Sequence, residues 1–507
     1  MHPSVHAKSR PDHPAIIMAS TGERLTYAEV DELSNQYAQL FCSLGLQPRD
    51  HIAIFLENCL EYLPLVWGAQ RTGLTYTPIS THLLEHEVAY ILDNSGAKVL
   101  ITSERLARVA SEARSTSPGV EQAFMLRGES NGFVSLEAAI ADMPTSPVED
   151  EEAGTVMMYS SGTTGLPKGV LMARPPNTPI TEHSKVALAL VSNFGIGTDS
   201  VYLSPAPLYH AAPLTFNTIS MALGGTSVIM DKFDPEAALA AIEQFGVTHS
   251  QWVPIMFVRM LKLPESVRDK YDVSSQQIAI HAAAPCPVEI KQQMIDWWGP
   301  RLFEYYASTE GAGFTAIDSA NWLQHRGSVG VPVGCEIRIL DDDGEDVPTG
   351  DVGTVYFSGN DQPFHYHKEP EKTAQSFTKD GWATVGDVGY LDDDGFLYLT
   401  DRKHYMIITG GVNVYPQEIE NALVTHPEVA DAAVFGLPDP EFGERVHAVV
   451  QPMNQAIDQA SLEGRLIAFL RDRLSHIKVP KAIDFDPELP RHDNGKLYKR
   501  RLLARYQ

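Results

Sequence analysis

The sequence predicts an α/β protein: a large N-terminal domain of parallel α/β sheets plus a small β layer, with a smaller α+β C-terminal domain. Three observations predict it. Apolar, strand-like runs alternate with amphipathic helical stretches through the first half. The rhythm changes after Val329 to strand, tight acidic turn, strand. The C-terminal stretch returns to a short mixture of helices and strands.

The elements follow in order. Ile52-Ala53-Ile54-Phe55 reads as a buried strand and residues 74–79 as another. Residues 86–92 form a short helix, and the Asn94-Ser95-Gly96 turn leads to a strand over 98–102. A strand over 155–158 precedes a glycine-rich loop, and one over 278–280 precedes a run of alanines. After the strand at 227–230, Asp234-Pro235-Glu236 opens a helix, with Asp as N-cap and Pro in the first turn. Strands at 337–340 and 355–357 flank Asp341-Asp342-Asp343-Gly344, and Asp392-Asp393-Asp394-Gly395 repeats that pattern, so an antiparallel layer is expected. Helix 416–424, strands 432–436 and 446–451, and helix 462–474 make a compact final unit. Asp401-Arg402-Lys403-His404 is the linker, which sets domains at 1–402 and 403–507.

Composition limits the function. The 507 residues are 43% hydrophobic and 21% charged, as in ordinary globular proteins. Lys plus Arg total 39 against 65 Asp plus Glu, a formal charge of −26. Such acidity argues against nucleic acid or an anionic membrane as a partner, while allowing a local cationic site for an anionic ligand. No apolar run approaches the length of a membrane-spanning helix, and no basic segment followed by an apolar run suggests a signal peptide. Cys42, Cys59, Cys286 and Cys335 lie far apart and form no C-x-x-C pair, so a reducing, cytoplasmic setting is expected.

The strongest chemical signal is Tyr159-Ser160-Ser161-Gly162-Thr163-Thr164-Gly165-Leu166-Pro167-Lys168-Gly169. Glycines free backbone N–H groups to face an anion, hydroxyls add donors, and a lysine supplies charge. This is not a Walker A loop, because Lys168 lies between Pro167 and Gly169 and no helix is opened by Gly-Lys-Ser/Thr. The alternative reading is a Ser/Thr/Gly surface turn. The loop resembles the signature of the acyl-adenylate-forming (AMP-binding) superfamily, its acyl-CoA synthetase branch in particular.

Further motifs extend the resemblance in family order from about Glu23 to Arg500. His281-Ala282-Ala283-Ala284-Pro285 resembles the small-residue adenine turn, with alanines in place of glycines. Tyr305-Tyr306-Ala307-Ser308-Thr309-Glu310 resembles the second signature, Ala307 replacing glycine. The resemblance implies adenine stacking, an α-phosphate donor in Thr309 and a Mg²⁺ ligand in Glu310. Asp387 and Arg402 match ribose contacts, and Gly410-Gly411 matches the turn lining a pantetheine tunnel. His404 stands at the hinge position, where Lys or Asp is usual. Pro490-Arg491-His492-Asp493-Asn494-Gly495-Lys496 matches the segment ending in the catalytic lysine.

The resemblance therefore implies an ATP-dependent carboxylic acid–CoA ligase. Lys496, Thr163 and Glu310 are its expected catalytic groups. Ser160, Ser161, Gly162, Thr164, Gly165 and Lys168 would hold phosphates. Ala283, Ala284, Pro285, Tyr305, Tyr306, Ala307 and Ser308 would line the nucleotide site. ATP, Mg²⁺ and CoA are the implied cofactors, with a small carboxylic acid as partner; a homodimer is compatible with the sequence. His210, Phe216, Trp252 and Met256, with Phe257 and Phe314, are candidate walls of an acyl pocket, which favours a hydrophobic, fatty or steroid-type acid. Each of these apolar residues reads equally well as core. The alternatives are an aryl-CoA ligase for cinnamate- or benzoate-type acids, a luciferase-like oxygenase, or a degenerate nucleotide-binding regulator.

Overall fold

Near-continuous apolar strands need cover on both faces, and the chain supplies it with crossover helices. The computed structural model describes residues 2–130, 132–160, 167–172, 174–182, 193–358, 364–402, 405–409, 412–491 and 497–506, with the side chains of Asp401, Arg402 and Arg500 set aside. The chain forms two units: Met1–Gln251 with Ser275–Ile278 and Gln362–Gln375, and Trp252–Ser274 with Ala279–Asp361 and Ser376–Gln507.

In the first unit an eight-stranded sheet runs Phe364–Tyr366, Lys168–Met172, Thr155–Ser160, Thr75–Pro78, His51–Phe55, Ala97–Ser103, Gln122–Leu126, Val134–Ser135. From Thr155–Ser160 onward every pairing is parallel, as the apolar runs imply. The first two strands are antiparallel additions at the opposite edge. The expected helix is Glu85–Ser95, stopped by Gly96 in the left-handed conformation at φ +72°. Asp234 caps Pro235–Phe245 as read, its side chain accepting from the Ala237 N–H at 2.8 Å. Buried Arg71 is held by Asp31 at 2.7 Å and Glu151 at 2.8 Å, so its charge is paired inside the unit.

The second unit carries residues 279–281 of the strand Ile278–His281, parallel to Leu302–Ala307, which pairs antiparallel with Phe314–Asp318. The small β layer is an antiparallel sheet of Ile337–Leu340, Gly353–Phe357, Asp387–Leu391 and Leu397–Arg402, with acidic turns at the expected places. Nearer the C-terminus, Val429–Asp439 and Gly443–Pro452 form a long hairpin, covered by Pro416–Thr425 and Gln459–Arg471 through Ile419, Leu423, Leu462, Leu466 and Leu470. The helix expected at 462–474 has different bounds. It starts at Gln459 after Asp458 and ends at Arg471, where the Arg473 and Leu474 N–H groups both turn back to the Leu470 carbonyl. The hairpin strands exceed the expected spans because Leu437–Arg445 and Pro438–Glu444 keep pairing toward the polar tip.

Candidate active site

The glycine-rich motif of the first unit is flanked by the two paired strands of a β-hairpin. Thr155–Ser160 pairs antiparallel with Lys168–Met172, placing Ser160 opposite Lys168 and Tyr159 opposite Gly169. Ser161, Gly162, Thr163, Thr164 and Gly165 lie outside the described residues. The base of the hairpin is well fixed. The Tyr159 hydroxyl donates to Asn94 Oδ1 at 2.6 Å, and the Tyr90 hydroxyl to the Pro167 carbonyl at 3.2 Å. The Lys168 ammonium sits 4.8 Å from the centre of the Tyr366 ring. Gly169 sits in a tight place: a Cβ there would lie 3.1 Å from Met157 Sδ and 3.3 Å from His367 Cβ, so these side chains would have to shift slightly to admit one.

The second unit encloses a cavity of about 330 Å³. One wall is the turn after Ile278–His281, with Ala283, Ala284 and Pro285. Ala283 takes φ +73°, a conformation that suits glycine better. The strand Leu302–Ala307 contributes Tyr305, Tyr306 and Ala307, followed by Ser308. Tyr305 stacks on Phe314 at 5.4 Å, which accounts for its burial. The Tyr306 hydroxyl donates to Asp387 Oδ2 at 2.5 Å, so the strand and the small β layer meet at the cavity. Arg402 lies directly opposite Asp387 in the strand register. The Gly311 N–H closes a turn on the Ser308 carbonyl at 3.0 Å, leaving Thr309 exposed and Glu310 buried.

The C-terminal part of the same unit completes the cavity with Tyr405, Glu420, Arg491, Leu497 and Lys499. Arg491 donates two bonds to Asp431, one of them from Nη2 at 2.7 Å. Lys499 pairs with Glu420 at 2.7 Å and stands 5.1 Å from the Tyr405 ring centre. Arg491 and Leu497 form an antiparallel bridge. His404, Gly410, Gly411 and Lys496 lie outside the described residues.

The acyl-pocket candidates are distributed differently. Phe216 is core of the first unit, between Phe194 at 5.9 Å and Tyr202 at 6.1 Å. Trp252 packs edge-on against Trp298 at 5.6 Å, and Met256 is equally buried. Their neighbours Val253, Pro254 and Ile255 line the cavity instead, because the helix Pro254–Leu261 starts there. His210 is half-buried at the N-cap of Ala211–Ala222, against Tyr209 at 4.6 Å. Phe257 packs against His281 at 5.4 Å.

Sequence reasoning missed a buried polar set behind the cavity wall. Lys291 is fully enclosed, its ammonium 2.5 Å from Glu304 Oε2 and 4.8 Å from the Trp322 ring centre. His281 Nε2 lies 3.6 Å from the same oxygen. Burial pushes the Glu304 carboxyl up, against the pull of Lys291. Burial, helped by the Lys291 charge, drives His281 well below its usual value and keeps it neutral. Charged residues in a helix and a strand carry no separate sequence signal of such a pairing. The strand register of His281 opposite Glu304 brings two of them together. Among the described residues, no group of three or more His, Cys, Asp or Glu could hold a metal, and no helix is long and apolar enough to cross a membrane.

This site sits in a fold shared with many adenylate-forming enzymes. The sequence profile of the AMP-binding enzyme family matches residues 4–364, and that of the AMP-binding enzyme C-terminal domain matches 418–496. The chain belongs to the AMP-binding enzyme family, and is an AMP-forming acid–CoA ligase of that family. It is 34% identical over 490 residues to a feruloyl-CoA synthase of Amycolatopsis sp, covering 96% of this chain and 94% of that protein. It is 32% identical over 499 residues to the long-chain-fatty-acid–CoA ligase FadD13 of Mycobacterium tuberculosis, covering 97% and 95%. Among solved structures, o-succinylbenzoate CoA synthetase (MenE) of Bacillus subtilis, in complex with its acyl-adenylate intermediate, matches with a TM-score of 0.81 at 27% identity, covering 99% of this chain and 97% of that one.

Proposed function

We propose that the chain activates a hydrophobic carboxylic acid, fatty or steroid-type, as its acyl-AMP and then transfers the acyl group to CoA. The observation that carries this reading is the cavity, where the 283–285 turn, Tyr305 to Ser308 and Asp387 converge. Apolar lining by Val253, Pro254, Ile255 and Val258 supports a hydrophobic substrate. So do relatives named for fatty acids and for a methyl-dioxo-octahydroindenyl propanoate. A feruloyl-CoA synthase at 34% identity favours a second reading, an aryl acid.

In this reading the acid's carboxylate attacks the α-phosphorus of ATP, pyrophosphate leaves, and a thiolate later displaces AMP. The residues must bring two anions together and quench charge at phosphorus. Ala283, Ala284, Pro285 and Tyr306 hold the adenine ring. Asp387 and Arg402 hold the ribose. Ser160, Ser161, Gly162, Thr163, Thr164, Gly165 and Lys168 cradle the phosphates, and Thr309 donates to the α-phosphate. Glu310 is buried and offers hard oxygen, which fits Mg²⁺ shared with substrate phosphates. When bound, that ion supplies positive charge to the phosphate oxygens. Residues 403–507 act as a mobile lid about His404, delivering Lys496 for adenylation and Gly410-Gly411 for thioester formation.

The test is AMP release from ATP, CoA and a panel of fatty, steroid, aryl and short polar acids. Hydrophobic acids should support turnover and polar ones should not; turnover with ferulate alone would select the aryl reading. Lys496→Ala should lower acid-dependent pyrophosphate exchange by about 10²–10⁴, while sparing thioester formation from supplied acyl-AMP. Equal loss in both steps refutes that role for Lys496.

A further inference from the structure

Two helices of the second unit form facing parts of the cavity wall: Pro254–Leu261 through Ile255 and Val258, and Pro416–Thr425 through Glu420, Asn421 and Val424. One ammonium ties them together. Lys262 ends the first helix as its C-cap. Its Nζ donates to the Val424 carbonyl at 3.1 Å and to the Val429 carbonyl, 162 and 167 residues further along the chain. Val424 lies in the last turn of the second helix, where carbonyls lack intrahelical partners and the helix dipole is negative. Val429 opens the strand Val429–Asp439. The tie extends through the second helix, because Glu420 holds Lys499 at 2.7 Å, and Lys499, Leu497 and Arg491 face the same cavity.

The chemistry of this tie suits a contact that is made and broken. Burial lowers Lys262 to about 8, against the pull of Asp431. An apolar side chain of similar length would join the helices without the cost of desolvating an ammonium. It would also leave apolar surface in water once they parted, whereas an ammonium hydrates readily. The charged groups around the contact do not replace it. Asp431, on the strand, accepts from Arg491 Nη2 at 2.7 Å. Arg259, on the helix that Lys262 ends, is exposed. His426, between the two carbonyls in sequence, is lowered below 6.5 by burial first, with Glu428 pulling it up and Arg465, Lys262 and Arg473 pushing it down. His426 is therefore neutral where Lys262 titrates.

We propose that Lys262 is a positioning residue for acyl-AMP formation: its ammonium is the releasable tie that holds Pro416–Thr425 against Pro254–Leu261 and so keeps Arg491, Leu497 and Lys499 at the cavity. This inference rests on the ligase reading, in which residues 403–507 change position between the two steps. Lys262 touches no reactant. It acts through the helix it grips, so its loss falls on the step that uses this arrangement and spares the step that follows its release.

The experiment compares the full-length protein with Lys262→Met, which keeps the stem and removes the charge, and Lys262→Arg, which keeps the charge at alkaline pH. Two rates are read: pyrophosphate exchange with dodecanoate, or with ferulate if the acid panel selects the aryl reading, and thioester formation from the matching supplied acyl-AMP. At pH 7.5 Lys262→Met should lower exchange by about tenfold or more, since a misplaced wall costs at least that much. Thioester formation should stay within about twofold of wild type, because it follows release of the tie. Lys262→Arg should exchange faster than Lys262→Met. Between pH 7 and 9.5 the ammonium of wild type loses its proton, so the ratio of wild type to Lys262→Met in exchange should shrink by about threefold or more. The ratio of Lys262→Arg to Lys262→Met should hold across that range. Equal loss of both steps in Lys262→Met, a pH-independent ratio, or Lys262→Arg no better than Lys262→Met each overturns the proposal. Absence of exchange by wild type with every acid overturns the ligase reading itself, which separates the two failures.

Discussion

Ala283 holds φ +73° in the cavity wall, where a Cβ crowds the following carbonyl. Glycine relieves that crowding, although it frees the unfolded chain. Ala283→Gly is therefore expected to stabilise the protein by about 0.5–1 kcal/mol, read as a higher thermal midpoint. A lower midpoint would show that the turn needs the methyl group for packing. The alanine substitution was legible in the sequence, because the turn departs from the glycine-rich pattern it resembles. The strained angle was not, since only the fold sets φ. Lys291 and Glu304 were still less visible: isolated Lys and Glu residues are usually solvated, and only burial in one wall turns them into a pair.

At the scale of elements, the strand pair flanking the glycine-rich motif is buttressed by histidines. His51, at the start of His51–Phe55, lies 5.7 Å from the His367 ring, and the His367 backbone N–H donates to the Gly169 carbonyl at 2.7 Å. Burial, then the charges of His367 and Lys368, lower His51 from 6.5 to about 4, with Asp50 pulling the other way. Between those values the unfolded chain binds the proton and the folded one does not, so stability rises with pH across that window. On falling from pH 6.5 to 4 this group withdraws up to about 3 kcal/mol. His51→Phe should lose less stability than wild type between pH 7 and pH 4.5 in denaturant titrations. An identical loss in both would place the acid sensitivity elsewhere. The parallel strands here were readable from their apolar runs. Phe364–Tyr366, three residues with exposed His365 in the middle, has too little pattern to be read as a strand.

For the molecule as a whole, chain order and spatial grouping diverge. The first unit is closed by residues 275–278 and 362–375, after the chain has already entered the second. Hydrophobic periodicity reports what each segment becomes, not where a later segment returns, so the class of fold was legible while this interleaving was not. The site follows the same logic. Its motifs could be named one by one, and the cavity exists because turns and strands from residues 253 to 499 converge.

Phe364–Tyr366 covers the edge of Lys168–Met172, a strand made about 190 residues earlier in synthesis. During translation that edge is an open template for any extended peptide until the later segment leaves the ribosome. A nascent or truncated chain ending at residue 358 should therefore be sticky and depend on chaperones, sedimenting as aggregates where the full chain does not.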